Sequence, residues 1–253
     1  SAAGQEDPAR GLRPVRGPHH SISATAMTGG GSHPRPGEIS LAHHGVLFLD
    51  ELPHFKPSVL DSLREPLETR QISISRTAGT AHFPAGFQLL AAMNPCPSGM
   101  VCREGHCRCR PDQVQRYQAR ISGPLLDRID LHVPVGEVPG RLLLTDQADD
   151  SALDQTRQQV TDARARQIER QGMTNANLPG EVLTRVCGLT AQDRRLLEQA
   201  GERYRLSARG IHRVLRVSRS IADLAGTDRV ERAQLMEALS FRAMDWSGAG
   251  GGR

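Results

Sequence analysis

Two adjacent carboxylates, Asp50 and Glu51, close the apolar run Val46-Leu47-Phe48-Leu49. Four consecutive apolar residues after Gly45 are too few for a buried helix and suit a strand covered on both faces. In an open α/β sheet, ligands collect beyond the carboxyl ends of the strands, which is where these acids fall. Adjacent acids can divide labour there, one helping to hold Mg²⁺ and the other orienting or deprotonating a water. The competing reading is a buried strand that ends in a solvated acidic turn. Asn94 has a similar address after the apolar stretch Phe87–Met93, although alone Asn94-Pro95 reads as a turn. Cys96, Cys102, Cys107 and Cys109 put four thiols in one short loop as C-x₅-C-x₄-C-x-C. That is enough for a tetrahedral zinc site, the alternative being reduced free thiols. Cys187 stands apart and reads as a small buried hydrophobe. His19-His20 has no partner at metal-ligand spacing and reads as loop.

The elements that must position these groups follow from periodicity and turn signals. Residues 1–18 are polar and rich in Gly, Pro and Arg, which reads as a disordered lead-in. A short helix over Ile39–His43 precedes the Gly45 strand. Ser58–Thr69 reads as a helix with Val59, Leu60, Leu63 and Leu67 on one face, kinked or ended by Pro66. Gln71–Arg76, a turn at Ala78-Gly79-Thr80 and Ala81–Pro84 form a β-hairpin pattern, with Ile72 and Ile74 inward. A second buried strand is expected over Phe87–Met93, and a short helix over Pro111–Ser122. Gly136–Gly140 reads as a linker. Beyond it the pattern is helical over Ser151–Arg170, Ala191–Arg203, Ser207–Ala225 and Val230–Phe241, with Thr227-Asp228 as the expected cap of the last helix. Ile211, Val214, Leu215, Val217, Ile221 and Leu224 form a stripe that reads as a core-facing side. The expected domains are an α/β unit over 19–139 containing the Cys-rich loop 96–109, a helical unit over 140–246, and a tail over 247–253.

Composition sets the outer limits. With 253 residues, one or two domains and a real core are expected. A net charge of +4 permits contact with nucleic acid without requiring it. No apolar run approaches membrane-spanning length, and the cysteine usage points away from a secreted disulfide framework, so the cytoplasm is the expected compartment. Lys56 is the only lysine, the other 31 basic residues being arginine.

Six ordered stretches then add up to a family resemblance: Gly37–Phe55, Leu63–Glu68, Phe87–Gly99, Cys107–Tyr117, Ser122–Val133 and Ser207–Leu224. Together they resemble the magnesium-chelatase-like AAA+ ATPases, within them most nearly the ComM group, from about Arg13 to the last helix. The resemblance implies a partial AAA+ α/β core followed by an all-α lid. It implies that Asp50 and Glu51 are the Walker B pair, Asp50 helping to hold Mg²⁺ and Glu51 activating water, and that Asn94 is sensor 1. An amide suits that position because it can donate and accept without adding charge. Arg128 corresponds to the arginine finger that reaches the nucleotide of the next subunit in a ring, expected to be a hexamer; read alone it is a surface pair with Asp127. Arg209 corresponds to sensor 2, with Arg213 and Arg216 as alternatives. The hairpin corresponds to the pre-sensor-1 insertion, whose Arg76 faces either phosphate or solvent.

Two departures qualify the expectation. A phosphate loop needs Gly-x-x-x-x-Gly-Lys-Ser/Thr, and Lys56, in Phe55-Lys56-Pro57-Ser58, lacks the glycines. The chain is therefore expected to be the C-terminal portion of a longer protein or a truncated product, weak or inactive alone toward ATP. Relatives carry Cys-Pro-Cys-Gly where this chain has Cys96-Pro97-Ser98-Gly99, so Cys102 or His106 would replace a zinc ligand. The function implied is that of an ATP- and Mg²⁺-dependent ring motor acting on DNA, by branch migration during recombination of incoming DNA. The alternatives are a non-catalytic oligomerisation or nucleic-acid-binding module, and a chelatase-type motor that remodels a partner protein.

Overall fold

The computed structural model describes residues 12–76, 79–99, 109–136 and 150–242. They fall into two compact units whose boundary lies between Ile129 and Asp130. The linker expected beyond Gly136 and the glycine-rich tail lie outside the described residues.

The first unit is built on a three-stranded parallel sheet in the order β1 (Val15–Arg16), β4 (Val46–Leu49), β7 (Gln88–Ala91), so the strand ending at Asp50 is central. The residues between β1 and β4 hold α1 (Ala24–Thr28), the antiparallel pair β2 (Gly29–Gly30) and β3 (Arg35–Pro36), and α2 (Glu38–Leu41). Within the stretch expected as a disordered lead-in, Val15–Arg16 form β1. A polar composition does not forbid a short edge strand. Arg16 is further anchored by two hydrogen bonds, 2.6 and 2.8 Å, to the Glu38 carboxylate of α2.

Among the described residues, the β4 strand is covered fully on one side only. Leu47 and Leu49 are completely buried, whereas Val46 and Phe48 are half-buried and share the other face with the exposed Leu90 of β7. The expectation of a strand covered on both faces is corrected accordingly: α1, α2 and the helices after β4 pack on the Leu47–Leu49 side, joining Met27, Ile39, Leu52, Phe55, Leu60, Leu63 and Leu125 in one core. The predicted single helix over Ser58–Thr69 is two, α3 (Pro57–Asp61) and α4 (Pro66–Thr69). Pro66 begins the second because its missing N–H costs nothing in a first turn. The hairpin is present as β5 (Gln71–Arg76) and β6 (Gly79–Pro84), with Ile72 and Ile74 buried as expected. The side chain of Arg76 lies outside the described set. After the Cys-rich loop come α5 (Pro111–Gln118) and α6 (Gly123–Leu126), each opened by proline in its first turn.

Gly45, just before β4, lies against the backbone of Pro14, just before β1. A Cβ there would lie 1.8 Å from the Pro14 carbonyl oxygen, the atom that accepts the Val46 N–H at 2.8 Å. Gly45→Ala must separate the two strands, and it is expected to destabilise the first unit by about 2–3 kcal/mol. A lowered midpoint in chemical denaturation would register it.

The second unit is helical: α7 (Asp150–Gln171), α8 (Gly180–Cys187), α9 (Ala191–Arg203), α10 (Ala208–Ala225) and α11 (Arg232–Ser240). Its core joins Leu183, Cys187, Leu197, Val214, Leu215, Ala222, Leu235 and Leu239. Cys187 is fully buried, as expected of a small hydrophobe, and burial pushes its thiol pKa up to about 11. Helix α8 and a 3₁₀ turn at Asn175–Asn177 were not anticipated, because eight residues give little periodicity to read. The last helix is capped at Glu231, whose N–H donates to Gln234 Oε1 at 3.0 Å, and not at Thr227-Asp228. Thr227 closes the turn after α10 instead, its N–H donating to the Ala222 carbonyl.

Candidate functional site

The site begins where β4 ends. Asp50 is exposed, and its Oδ1 accepts the Glu51 N–H at 2.8 Å. Glu51 takes a left-handed backbone, φ 52° and ψ 47°, rare for a residue with a Cβ. Such strain clusters where surrounding structure holds a side chain for function. Here the holding is visible. Leu52 N–H donates to the Ala92 carbonyl at 2.9 Å and Ala92 N–H to Leu49, so the chain stays laced to β7 on both sides of the acids. The 3₁₀ turn Leu52–His54 then closes with His54 N–H on the Glu51 carbonyl at 2.8 Å.

Asn94 follows β7 by three residues and is exposed, beyond the same end of the sheet as Asp50 and Glu51. The parallel register, Leu49 against Ala91, brings these three residues to neighbouring strand ends. Glu51 also has company the sequence did not announce. Its Oε2 lies 3.3 Å from His20 Nδ1 and 3.5 Å from His54 Nδ1. The His54 ring stands edge-on to Tyr117 of α5 at 6.1 Å. Burial raises the Tyr117 pKa, and Cys96 and Glu51 add to the rise. A faint signal existed: an unexplained His19-His20 pair, and His54 three positions after Glu51.

Arg128 follows α6 with only 10% of its side chain exposed. Its guanidinium pairs with Glu68 of α4 at 3.1 Å and donates to the Pro124 carbonyl at 2.6 Å. The partner is thus Glu68, from the Leu63–Glu68 stretch, and not the adjacent Asp127. Lys56 is exposed at the start of α3, with no glycine-rich turn around it.

Cys96 is fully buried, its Sγ 3.0 Å from Ser98 Oγ, and Cys109 is half-buried before α5. Cys102, His106 and Cys107 lie outside the described residues, so the thiol set is seen only at its two ends.

In the helical unit, Arg209 is exposed in the first turn of α10, where Ser207 Oγ caps the Gly210 N–H at 3.0 Å. Arg213 is engaged with Asp130 at 2.5 Å, and Arg216 donates to the Leu178 carbonyl at 3.0 Å. A buried network was not foreseen. Asp223, 1% exposed, accepts from Arg170 at 2.5 and 3.0 Å, from Arg219 at 2.9 Å and from Asn175 at 2.8 Å. Arg219 is completely buried and also donates to the Asp228 and Thr227 carbonyls.

Comparison with known proteins now bears on this geometry. Residues 1–142 match the family model of magnesium chelatase, subunit ChlI, and residues 150–242 match that of the subunit ChlI C-terminal part. The chain is 50% identical over 234 residues to competence protein ComM of Haemophilus influenzae, covering 92% of this chain and 45% of that protein. It is 47% identical over 233 residues to the uncharacterized protein YifB of Escherichia coli and to that of Salmonella typhimurium, covering 92% of this chain and 46% of each. It therefore spans about half the length of these relatives. No helix among the described residues is long and apolar enough to cross a membrane. The chain belongs to the magnesium chelatase subunit ChlI family of AAA+ proteins.

Proposed function

We propose that this chain supplies the ion-holding and water-orienting side of a Mg²⁺- and ATP-dependent AAA+ ring motor acting on DNA. The observation that carries the reading is the strained, exposed Asp50-Glu51 pair at the carboxyl end of the central parallel strand, with Asn94 beyond the neighbouring strand. The residues fit the ion. Asp50 uses Oδ1 for the Glu51 N–H and keeps Oδ2 for a hard cation such as Mg²⁺, which offsets phosphate charge when bound. Glu51 takes the water's proton on its carboxylate, and the Asn94 amide orients that water. They do not fit the phosphate grip: the one lysine lacks a glycine-rich turn, so this chain alone is expected to turn over ATP slowly or not at all.

Arg128 is the arginine finger in this reading. Arg209, in the first turn of α10, is sensor 2 in the same reading. The lid assignment of the helical unit, and a hexameric ring, come with the same reading. DNA is the proposed substrate because a 50% identical relative is a competence protein, and the β5–β6 hairpin is read as the pre-sensor-1 insertion in the same proposal. Branch migration during recombination of incoming DNA is the activity proposed.

The test is Glu51→Gln in a form of the protein that also carries a phosphate loop. DNA-stimulated ATP turnover is expected to fall about 10²–10⁴-fold with ATP binding retained. Turnover by the present chain alone at the rate of that longer form would overturn the reading. A second reading is a non-catalytic oligomerisation or nucleic-acid-binding module, and DNA binding without any nucleotide dependence in the longer form would select it. Cys96, Cys102, Cys107 and Cys109 are proposed as a structural zinc site. About one thiolate-bound zinc per chain is expected in protein purified without chelators, and a clear zero by elemental analysis would end that proposal.

A further inference from the structure

The geometry around Glu51 points to a second metal site: we propose that His20, Glu51 and His54 bind a divalent transition-metal ion of the Zn²⁺ class. Each residue offers one donor atom, and all three atoms lie within 4.8 Å of one another. Two of the edges are His20 Nδ1 to Glu51 Oε2 at 3.3 Å and His54 Nδ1 to Glu51 Oε2 at 3.5 Å, beyond the usual hydrogen-bond range of about 2.7–3.2 Å. Bonds of about 2.0–2.2 Å at tetrahedral angles place neighbouring ligand atoms about 3.3–3.6 Å apart. Both edges agree with that spacing.

The three residues are held independently of any ion. His20 stacks on His19 with ring centroids 4.0 Å apart and stands edge-on to Phe55 and His54 at 6.4 and 5.7 Å. The loop that presents His20 is closed by the Ile22 N–H on the His19 carbonyl at 3.0 Å. His54 is fixed by its 3₁₀ turn and by Tyr117, and Glu51 by its left-handed backbone. Side chains one-third to one-half exposed let an ion enter from solvent and leave a fourth position to water. This fills the gap left by reading His19-His20 as loop: the partners of His20 are 31 and 34 positions away and arrive only with the fold.

Two imidazoles and one carboxylate select Zn²⁺, Co²⁺ or Ni²⁺ over Mg²⁺, which favours octahedral oxygen ligands. The site is thus chemically distinct from the Mg²⁺ position at Asp50. Because Glu51 is shared, a bound ion occupies the carboxylate that would accept the water's proton, and turnover stops. That consequence rests on the reading of Glu51 above; the binding does not.

The test is titration of the full chain, stripped of metal, with Co²⁺. Visible ligand-field bands report nitrogen and oxygen ligands, and sulfur-to-cobalt charge transfer in the near ultraviolet reports the Cys-rich loop separately. His20→Gln and His54→Gln are each expected to weaken the non-thiolate site about ten-fold or more, since even an outer-shell partner of a metal costs that much. Excess Mg²⁺ should leave binding unchanged. Absence of a non-thiolate site, or equal affinity in His20→Gln and His54→Gln chains with unaltered circular dichroism, overturns the proposal. In the longer, ATP-hydrolysing form, Zn²⁺ should arrest turnover and His54→Gln should relieve it. Binding without arrest overturns the assigned role of Glu51 and leaves the metal site standing.

Discussion

Arg128→Ala is expected to lower DNA-stimulated ATP turnover about 10³–10⁵-fold in a form that carries a phosphate loop, equivalent to about 4–7 kcal/mol of transition-state stabilisation. The guanidinium has a permanent charge and a planar fork that matches phosphate oxygens, so Arg128→Lys should not restore the rate. Within this chain the same guanidinium is already paired with Glu68 and bonded to the Pro124 carbonyl, with its side chain 90% covered. That pairing gives it a defined resting place, and a thermal melt of the variant must accompany the kinetics. A finger acting on the neighbouring subunit has a signature that a local structural arginine lacks. Rings mixed from Arg128→Ala and Glu51→Gln subunits should regain part of the turnover, because some interfaces then unite an intact finger with an intact Glu51. A folded, assembled Arg128→Ala variant with turnover within ten-fold of the parent would remove the assignment.

The largest stability effect is expected at Asp223. Asp223→Ala leaves the fully buried Arg219 and the partly buried Arg170 without their shared counter-charge. Breaking a buried pair from one side costs about 3–5 kcal/mol. For a unit of this size that lowers the melting temperature by about 10–20 °C. Asp154→Ala breaks a pair with Arg157 in which both side chains are more than two-thirds exposed, and it should cost less than about 1 kcal/mol. The contrast separates burial from the mere presence of an ion pair.

The same residue sets an acid limit. Burial pushes the Asp223 pKa up, but hydrogen bonds from Arg170 and Asn175, with the charges of Arg219 and Arg170, more than offset it and hold the pKa below the ordinary value. The unfolded chain, with a pKa of about 3.9, then binds the proton more readily than the folded one. Stability from this group is fully present above the unfolded pKa and is lost as pH falls through the lower folded value. Denaturation midpoints should be flat in this contribution above about pH 5 and should decline below about pH 4. In Asp223→Asn the decline should be shallower.

Which features were legible in the sequence follows the range of the interactions that make them. The Val46–Leu49 strand with Asp50 and Glu51 after it, the hairpin with Ile72 and Ile74 inward, and the stripe along Ala208–Ala225, except for its last member Leu224, which is exposed, each rest on neighbours within a turn or a strand repeat. Their periodicity is written locally. The divided helix at Pro66 was legible too, since proline acts on its own turn. The Thr227-Asp228 cap misled because the same residue types close turns and start helices, and the Glu231–Gln234 pair took the helix start.

Asp50, Glu51, Asn94, Arg128 and Arg209 were named as candidates by the sequence alone, through strand ends and a family resemblance, together with a chemistry for each. Only the tertiary structure joined Arg128 to Glu68, His20 to Glu51 and His54, and Arg170 to Asp223 across 53 positions. Arg219 and Asp223, four apart on α10, look in sequence like an ordinary solvated helix pair, yet both are almost wholly buried. Long-range polar partners leave no period in the chain. A carboxylate's surroundings, and hence its charge and its work, are decided by what packs against it.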